Sequence, residues 1–512
     1  MRVIVEPWES EVWSDVKELC KVEEGYSWEE MREKLYNSEL PTKEKWPELI
    51  NTFFSLLAYY NAICFPDMVM LATTALEENP ELIEENFFIL DEYQDFNQAE
   101  ENLVAKITKN ASGVLMVGDD DQVLYEKLKS GKAELIRRHY KSTTKTNAML
   151  PYCGRCSFHI TKASSAFIRA NAEDECISKI YLPLKVAEEE GKVNCVACFQ
   201  PSGAVDYIKK FIEDNQSLIE ERQKQLETGD KKDAFLLILS PDKKLAFYGN
   251  EQKEVLDVIA SYQSSQKMKY GDDYYKVLTY YAFGNNDGNN YAFRKLLSYE
   301  NTSREDIISL VKVGLENKIN FIEIKKDIVH LISERAINVR NILDDEKLMA
   351  REKAQAIADL ISISDVQRLM SDIEQSIIEG SFRLEHEDEE AAELEEIGPS
   401  KVSAVELMSI VGSKGLSADH VIIVGFDNIN MGYITRNAFY VAMTRARKSL
   451  HIITALQARG SSGPNDFFQQ LPDSHLNFMT HKKTGRTTTI MRSRNDFLSY
   501  FRRILYGRNN RR

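Results

Sequence analysis

Residues 88–96 read FILDEYQDF, an apolar run that meets the paired carboxylates Asp91 and Glu92, with Gln94 and Asp95 directly behind. A buried strand ending in this way delivers its acid to a ligand crevice. There an Asp can hold magnesium, and a Glu can orient or deprotonate an attacking water. The plainer alternative is a strand closed by a solvated acidic turn. A second acidic stretch, VGDDDQVLYE (117–126), favours the chemical reading. Gln122 stands four residues past Gly118, where a neutral amide can sense a terminal phosphate. Tyr125, three residues on, offers an aromatic face beside the same crevice.

The seven cysteines include two CxxC pairs, Cys153/Cys156 and Cys195/Cys198. Such pairs can hold zinc, with Cys176 or His159 as further ligands, or can be small reduced thiols. VNCVACF reads as a strand, and residues three apart on a strand point to opposite faces. That geometry favours thiols over a metal site for the second pair.

The elements that must position the acids are legible in outline. Residues 1–86 read as mostly helical. A strand at Phe87–Leu90, a helix near 98–108 and a second strand at 113–117 then form a β–α–β unit. A right-handed crossover puts both strand ends, and therefore both acidic stretches, on one edge of a parallel sheet. A second sheet is expected from distant pieces: 192–199, Ala234–Ser240, 405–410, 420–426 and 449–454. A helical insertion over 242–382, ending in an acidic run and Gly398-Pro399, interrupts it.

The chain has 512 residues, 43% hydrophobic and 28% charged, which suits a globular protein of about three domains. No stretch approaches the roughly 18 apolar residues of a membrane span. Acidic residues enter the N-terminal MRVIVEPWESEVW before a signal-peptide core could form, so a cytoplasmic protein is expected. A net charge of −15 argues against a surface coated in nucleic acid but permits a local basic groove. The charge is uneven: 385–396 is densely acidic, whereas the last 32 residues hold a single acid, Asp496. The simplest reading is a solvated linker and a soluble basic tail, with a tail that docks a nuclease or DNA as the alternative.

DEYQD (91–95) followed by GDDDQVLY (118–125) resembles the second and third signature motifs of the UvrD/Rep group of superfamily 1 DNA helicases. ELMSIVGSKGL (406–416) resembles their fifth motif and FYVAMTRARKSL (439–450) their sixth. The resemblance implies an α/β fold of two RecA-like parallel-sheet domains, the first incomplete, with helical insertions. It implies ATP and Mg2+ as nucleotide and metal, single-stranded DNA as partner, and movement along it, generally 3′ to 5′. Carried over, Asp91 would ligate Mg2+, Glu92 would activate water, and Gln122 would contact the γ-phosphate. Arg445 would reach the same phosphate from the second domain, and Arg155, in PYCGRCS, would hold the nucleotide. Tyr125, Ser409 and Lys414 would contact DNA, with a turn-stabilising role open for Lys414. The sequence departs from the pattern at Gly154, where a Tyr is usual. It departs again at Val411 for His, at Ser417 for Glu, and at Glu126-Lys-Leu-Lys-Ser130 for an aromatic and arginine run.

A phosphate cradle, G-x-x-x-x-G-K-[ST], is absent from the 512 residues. Ser130-Gly-Lys132 is followed by Ala, and Gly412-Ser-Lys-Gly415 falls in the second domain. The expectation is that the cradle lies ahead of Met1 or on a separate P-loop-bearing chain. The expected divisions are 1–86 helical, 87–140 first RecA-like core, 141–241 second domain, 242–399 insertion and linker, 400–460 second domain resumed, and 461–512 basic tail. A non-catalytic DNA-binding or adaptor subunit derived from such a helicase is the alternative function.

Overall fold

The computed structural model describes residues 2–3, 8–22, 24–38, 44–124, 130–170, 176–186, 191–241, 253–255, 257, 259, 271–378, 403–456, 463–483 and 486–509. The chain forms two compact units, Met1–Asn86 with Gln98–Ala111 and Lys267–Glu396, and Phe87–Asn97 with Ser112–Gln266 and Ile397–Arg512. The acidic run at 385–396 and Tyr125 lie outside the described residues.

The first unit is helical apart from β1 (Arg2–Val3) and β2 (Ala62–Ile63), a short parallel pair. Helices Trp8–Leu19, Trp28–Asn37 and Trp46–Tyr60 turn their apolar stripes onto one core, where the Trp13 and Trp46 rings stack 5.7 Å apart. Phe283, Phe293 and Phe321, more than 200 residues later, belong to the same core. Arg294 makes a bidentate pair with buried Asp15 at 2.7 and 2.9 Å, satisfying both charges away from water. The expected boundary between a 1–86 piece and a 242–399 insertion therefore does not separate two cores. Each segment has an amphipathic face that the other covers.

The second unit carries the sheets. β3 (Phe87–Leu90) and β4 (Gly113–Met116) pair in parallel, with Phe87 opposite Gly113 and Leu90 opposite Met116. β5 (Tyr152–Cys153) and β6 (Leu182–Pro183) form another short parallel pair. The main sheet comprises β7 (Val193–Cys198), β8 (Ala234–Ser240), β9 (Val405–Ser409), β10 (Ala418–Ile423), β11 (Ala446–Ala455), β12 (Leu476–Lys482) and β13 (Thr487–Met491). Its order is β13-β12-β7-β11-β10-β8-β9, parallel except for the β12–β13 hairpin. This is the expected α/β architecture of two RecA-like parts with helical insertions, the first part represented by β3 and β4.

Strand residues alternate between two cores, as a period of two requires. Leu237 and Leu239 of β8 face helices Phe158–Arg169 and Arg436–Thr444, while Leu236 and Ile238 face helix Pro201–Asp214. Both faces are covered, so AFLLILS is buried throughout.

The C-terminal residues correct the expectation of a soluble tail. β12 and β13 extend the main sheet, and Phe497 and Phe501 of helix Arg494–Asn509 are buried against it. The first four residues of β12, LNFM, alternate buried and half-buried positions, a strand signal masked by the basic charge around it. No helix among the described residues is long and apolar enough to cross a membrane.

Candidate active site

The two acidic stretches leave β3 and β4 at the same edge, both inside the second unit. Val117 N–H donates to Leu90 O at 2.8 Å and Tyr93 N–H to Val117 O at 3.0 Å, so the strand ends remain paired beyond the ladder. Glu92 turns the chain with φ of +52°, a left-handed conformation that non-glycine residues adopt at a cost of about 1 kcal/mol or more. Buried Gln94 then staples the stretches together. Its Oε1 accepts from Asp119 N–H at 3.0 Å, and its Nε2 donates to Glu92 Oε2 at 2.5 Å. Gly118 is needed for this approach, since a Cβ there would lie 2.5 Å from Gln94 Oε1 and 2.7 Å from Ile136 Cδ1.

Asp91 is exposed, and its Oδ1 accepts one hydrogen bond, from Glu92 N–H at 2.9 Å. Asp95 is buried; its Oδ1 accepts from Leu124 N–H at 3.2 Å and its Oδ2 pairs with Lys414. Lys414 also lies 3.4 Å from Glu92 Oε2. Burial lowers the Lys414 pKa below its usual value, while Glu92 and Asp91 pull the other way and Arg445 adds to the fall.

Gln122 closes the turn Asp120–Gln122. Its Nε2 donates to Asp119 Oδ2 at 2.8 Å, and its Oε1 accepts from Arg445 Nη2 at 3.3 Å. These two bonds fix which way the amide faces. Arg445 follows helix Arg436–Thr444 and precedes β11, and is only 3% exposed. Its Nε donates to Val441 O at 3.0 Å and its Nη1 to Leu416 O at 3.2 Å. Burial and the neighbouring Arg155 lower its pKa to about 10, which leaves the guanidinium charged at neutral pH. Arg155 itself is exposed, in the turn after β5. Ser409 is buried at the end of β9, where its Oγ accepts from Gly412 N–H at 3.0 Å.

The structure thus brings together Asp91, Glu92, Gln122, Arg445, Lys414 and Arg155. Ser409 lies at a turn of its own, and Tyr125 is outside the described residues. Sequence reasoning missed the groups that hold Asp119, Asp120 and Asp121. These three carboxylates are the one cluster among the described residues with metal-ligand spacing. Lys179 bonds to Asp119 and Asp120 and lies 3.1 Å from Asp121. Arg137 Nε is 2.8 Å from Asp120 Oδ2, and Tyr181 Oη lies 2.9 Å from Asp119 and 2.7 Å from Asp121. An ammonium of the chain itself thus sits where a cation would. Burial opposes its charge, but the three carboxylates outweigh burial and raise its pKa. Nothing in CISKIYLP signals this role, because Lys and Tyr there resemble any strand approach.

The cysteines join no three-ligand cluster among the described residues. Cys195 and Cys198 face opposite cores, and Cys176 Sγ accepts from Arg137 Nη2 at 3.1 Å. His159 Nδ1 instead meets His475 Nδ1 at 2.9 Å.

The UvrD/REP helicase N-terminal domain matches residues 5–143, and the UvrD-like helicase C-terminal domain matches residues 237–457. DNA helicase II of Rickettsia typhi is 23% identical over 504 residues, covering 85% of this chain and 72% of that protein. ATP-dependent DNA helicase PcrA of Staphylococcus aureus is 23% identical over 505 residues, and this chain spans 64% of its length. ATP-dependent DNA helicase Rep of Salmonella typhimurium is 34% identical over 70 residues, 13% of this chain and 10% of that protein. The two matched domains follow one another in order and together span 360 of the 512 residues, so the chain belongs to the UvrD-like helicases.

Proposed function

We propose that this chain carries the acid and guanidinium groups of an ATP-driven DNA helicase that moves along single-stranded DNA, 3′ to 5′. One observation carries the reading: the Gln122 amide bonds Asp119, past the end of β4, and Arg445, at the start of β11. An amide so placed responds to charge arriving from either side.

Asp91 fits a magnesium ligand, since its carboxylate is exposed with one oxygen committed to Glu92 N–H. Magnesium is normally held by one or two carboxylates together with substrate phosphates, whose negative charge it neutralises. Glu92, oriented by Gln94 and by Lys414, would take a proton from the attacking water. Arg445 would stabilise charge on the transferred phosphoryl group, and Arg155 would hold the nucleotide. Of the two roles open to Lys414, its burial between Asp95 and Glu92 favours stabilising the site over contacting DNA. Ser409 and Tyr125 remain the residues assigned to DNA.

Backbone N–H groups and a lysine must still cradle the β- and γ-phosphates, and no G-x-x-x-x-G-K-[ST] segment occurs in these residues. On this reading hydrolysis needs a cradle acting together with them, from a P-loop-bearing segment or partner. The test is Mg2+-dependent ATP turnover by the purified 512-residue chain with single-stranded DNA. Weak turnover is expected, with DNA binding retained. Robust turnover abolished by Glu92→Gln would reject the need for a separate cradle. DNA binding unaffected by nucleotide, with no turnover in any combination, would favour the non-catalytic subunit, which the same missing motif supports.

A further inference from the structure

The Gln122 amide owes its orientation to two supports, the Asp119 carboxylate on one side and Arg445 on the other. Asp119 is also tied toward Glu92, because its N–H donates to Gln94 Oε1 and Gln94 Nε2 donates to Glu92. What holds the Asp119 side chain therefore bears on all of these groups. Its Oδ1 accepts from Asp121 N–H at 3.1 Å, pairs with Lys179 and lies 2.9 Å from Tyr181 Oη. Its Oδ2 lies 3.1 Å from the same hydroxyl. Tyr181 stands directly ahead of β6 and is half-buried. Its ring packs on that of Tyr440, with centroids 5.7 Å apart, and the Arg169 guanidinium lies 5.9 Å over it. Tyr440 is buried in helix Arg436–Thr444, the helix that Arg445 follows. The same helix reaches the acidic turn through Asn437 Nδ2, which donates to Asp120 O at 3.2 Å. Tyr181 thus meets both supports of the amide, one through its hydroxyl and the other through its ring.

We propose that Tyr181 is a positioning residue for nucleotide hydrolysis, its hydroxyl fixing the Asp119 carboxylate that orients Gln122 and its ring setting the helix that delivers Arg445. The role rests on the helicase reading of Gln122 and Arg445; the contacts themselves do not. A tyrosine hydroxyl has one proton, and here it faces three carboxylate oxygens, Asp121 Oδ2 being nearest at 2.7 Å. Burial first, then Tyr440 and the two carboxylates, push its pKa up, so it stays a neutral donor around pH 7. A neutral donor adds no charge to the cluster. Lys179 and Arg137 compensate the carboxylates, and Tyr181 supplies direction. With the carboxylate fixed, Gln122 Nε2 has its acceptor and Oε1 is left for Arg445. Once Asp119 is released, the amide can flip and turn its NH2 to the guanidinium, and two donors then face each other.

The test reads the side-chain amide of Gln122 by NMR in the full chain carrying isotope-labelled glutamine, its signal identified by loss in Gln122→Glu. Tyr181→Phe removes the hydroxyl and keeps a ring on Tyr440, so the fold is retained, as urea unfolding will show. In that variant the Gln122 signal should move, and its amide protons should exchange with water about tenfold faster or more, as when a hydrogen bond to a charged group is lost. Leu237→Ala weakens the same unit from its core and should leave that signal in place, which separates positioning from general stability. Adding Tyr181→Phe to Asp119→Asn should shift the signal no further, since the tyrosine acts through that carboxylate. An unmoved amide in Tyr181→Phe, or a full additional shift in the double variant, overturns the proposal. With ATP, Mg2+ and single-stranded DNA, Tyr181→Phe should lower kcat about tenfold and leave KM for ATP unchanged. An unchanged kcat beside a displaced amide would equally overturn it. A native chain with no turnover counts against the helicase reading, and the amide result, read without nucleotide, then decides the proposal alone.

Discussion

β3 and β8 are both short apolar parallel strands, yet they are stabilised in opposite ways. Every residue of β8 is buried, because helices cover both faces of its sheet. In β3, Phe87 and Ile89 are each 76% exposed, and their neighbour Leu115 on β4 is 55% exposed. The β3–β4 pair keeps its geometry mainly at its carboxyl end. There Leu90 and Met116 pack on Tyr93, Leu135 and Ile136, and Gln94, Asp95, Asp119 and Asp120 are each held by named polar partners. A two-stranded sheet has little stability of its own, so polar ties at the functional edge substitute for a covered face. The comparison separates two kinds of control: apolar area fixes the large sheet, and charge pairing fixes the acid site.

The largest expected effect falls where the two regions meet. Arg445→Ala should lower DNA-stimulated ATP turnover by about 10³-fold or more under conditions where the cradle is supplied, read in steady-state kinetics. DNA binding without nucleotide should change far less. A loss under tenfold would show that the Gln122–Arg445 contact is structural.

Lys179→Met should destabilise the second unit by about 4 kcal/mol at pH 7 in urea unfolding, because three carboxylates lose their ammonium. The pH dependence gives a sign. Burial tends to raise Asp120, but Lys179 and Arg137 prevail and hold its pKa below the usual carboxylate value. Its contribution is therefore present above the unfolded pKa of about 4 and is lost as pH falls through the lower folded value. The gap between native and variant chains should be widest near neutrality and narrow below about pH 4. A gap constant from pH 7 to 3 would mean that Lys179 acts through packing alone.

Leu237→Ala should cost about 3 kcal/mol by the same measurement, since a buried leucine is removed from a sheet covered on both sides. Ile89→Thr should change stability by about 0.5 kcal/mol or less, because a β-branched residue is kept at an exposed position. Its soluble yield should rise as an exposed apolar face shrinks. If Ile89→Thr proves as costly as Leu237→Ala, the contrast between the sheets fails.

Much of this organisation was legible in the residues. β8 matched its expected bounds, and five of the main sheet's strands were found because each is a short apolar run between turns. The motif residues could be named because their spacing along one strand end is local. β12 and β13 were missed, since a strand whose charges dominate its composition reads as a tail. The core shared by residues 12–64 and 274–373 was missed because amphipathic stripes show that a face needs covering but do not name the cover.

By itself the sequence determined which carboxylates, amide and arginine are available and which strand ends present them, because those relations are set within a few residues. Only the tertiary structure decided that Lys179 fills the three-aspartate cluster and that Lys414 joins Asp95. Those outcomes depend on distances between groups up to some 320 residues apart, and charge and burial act through space, not along the chain.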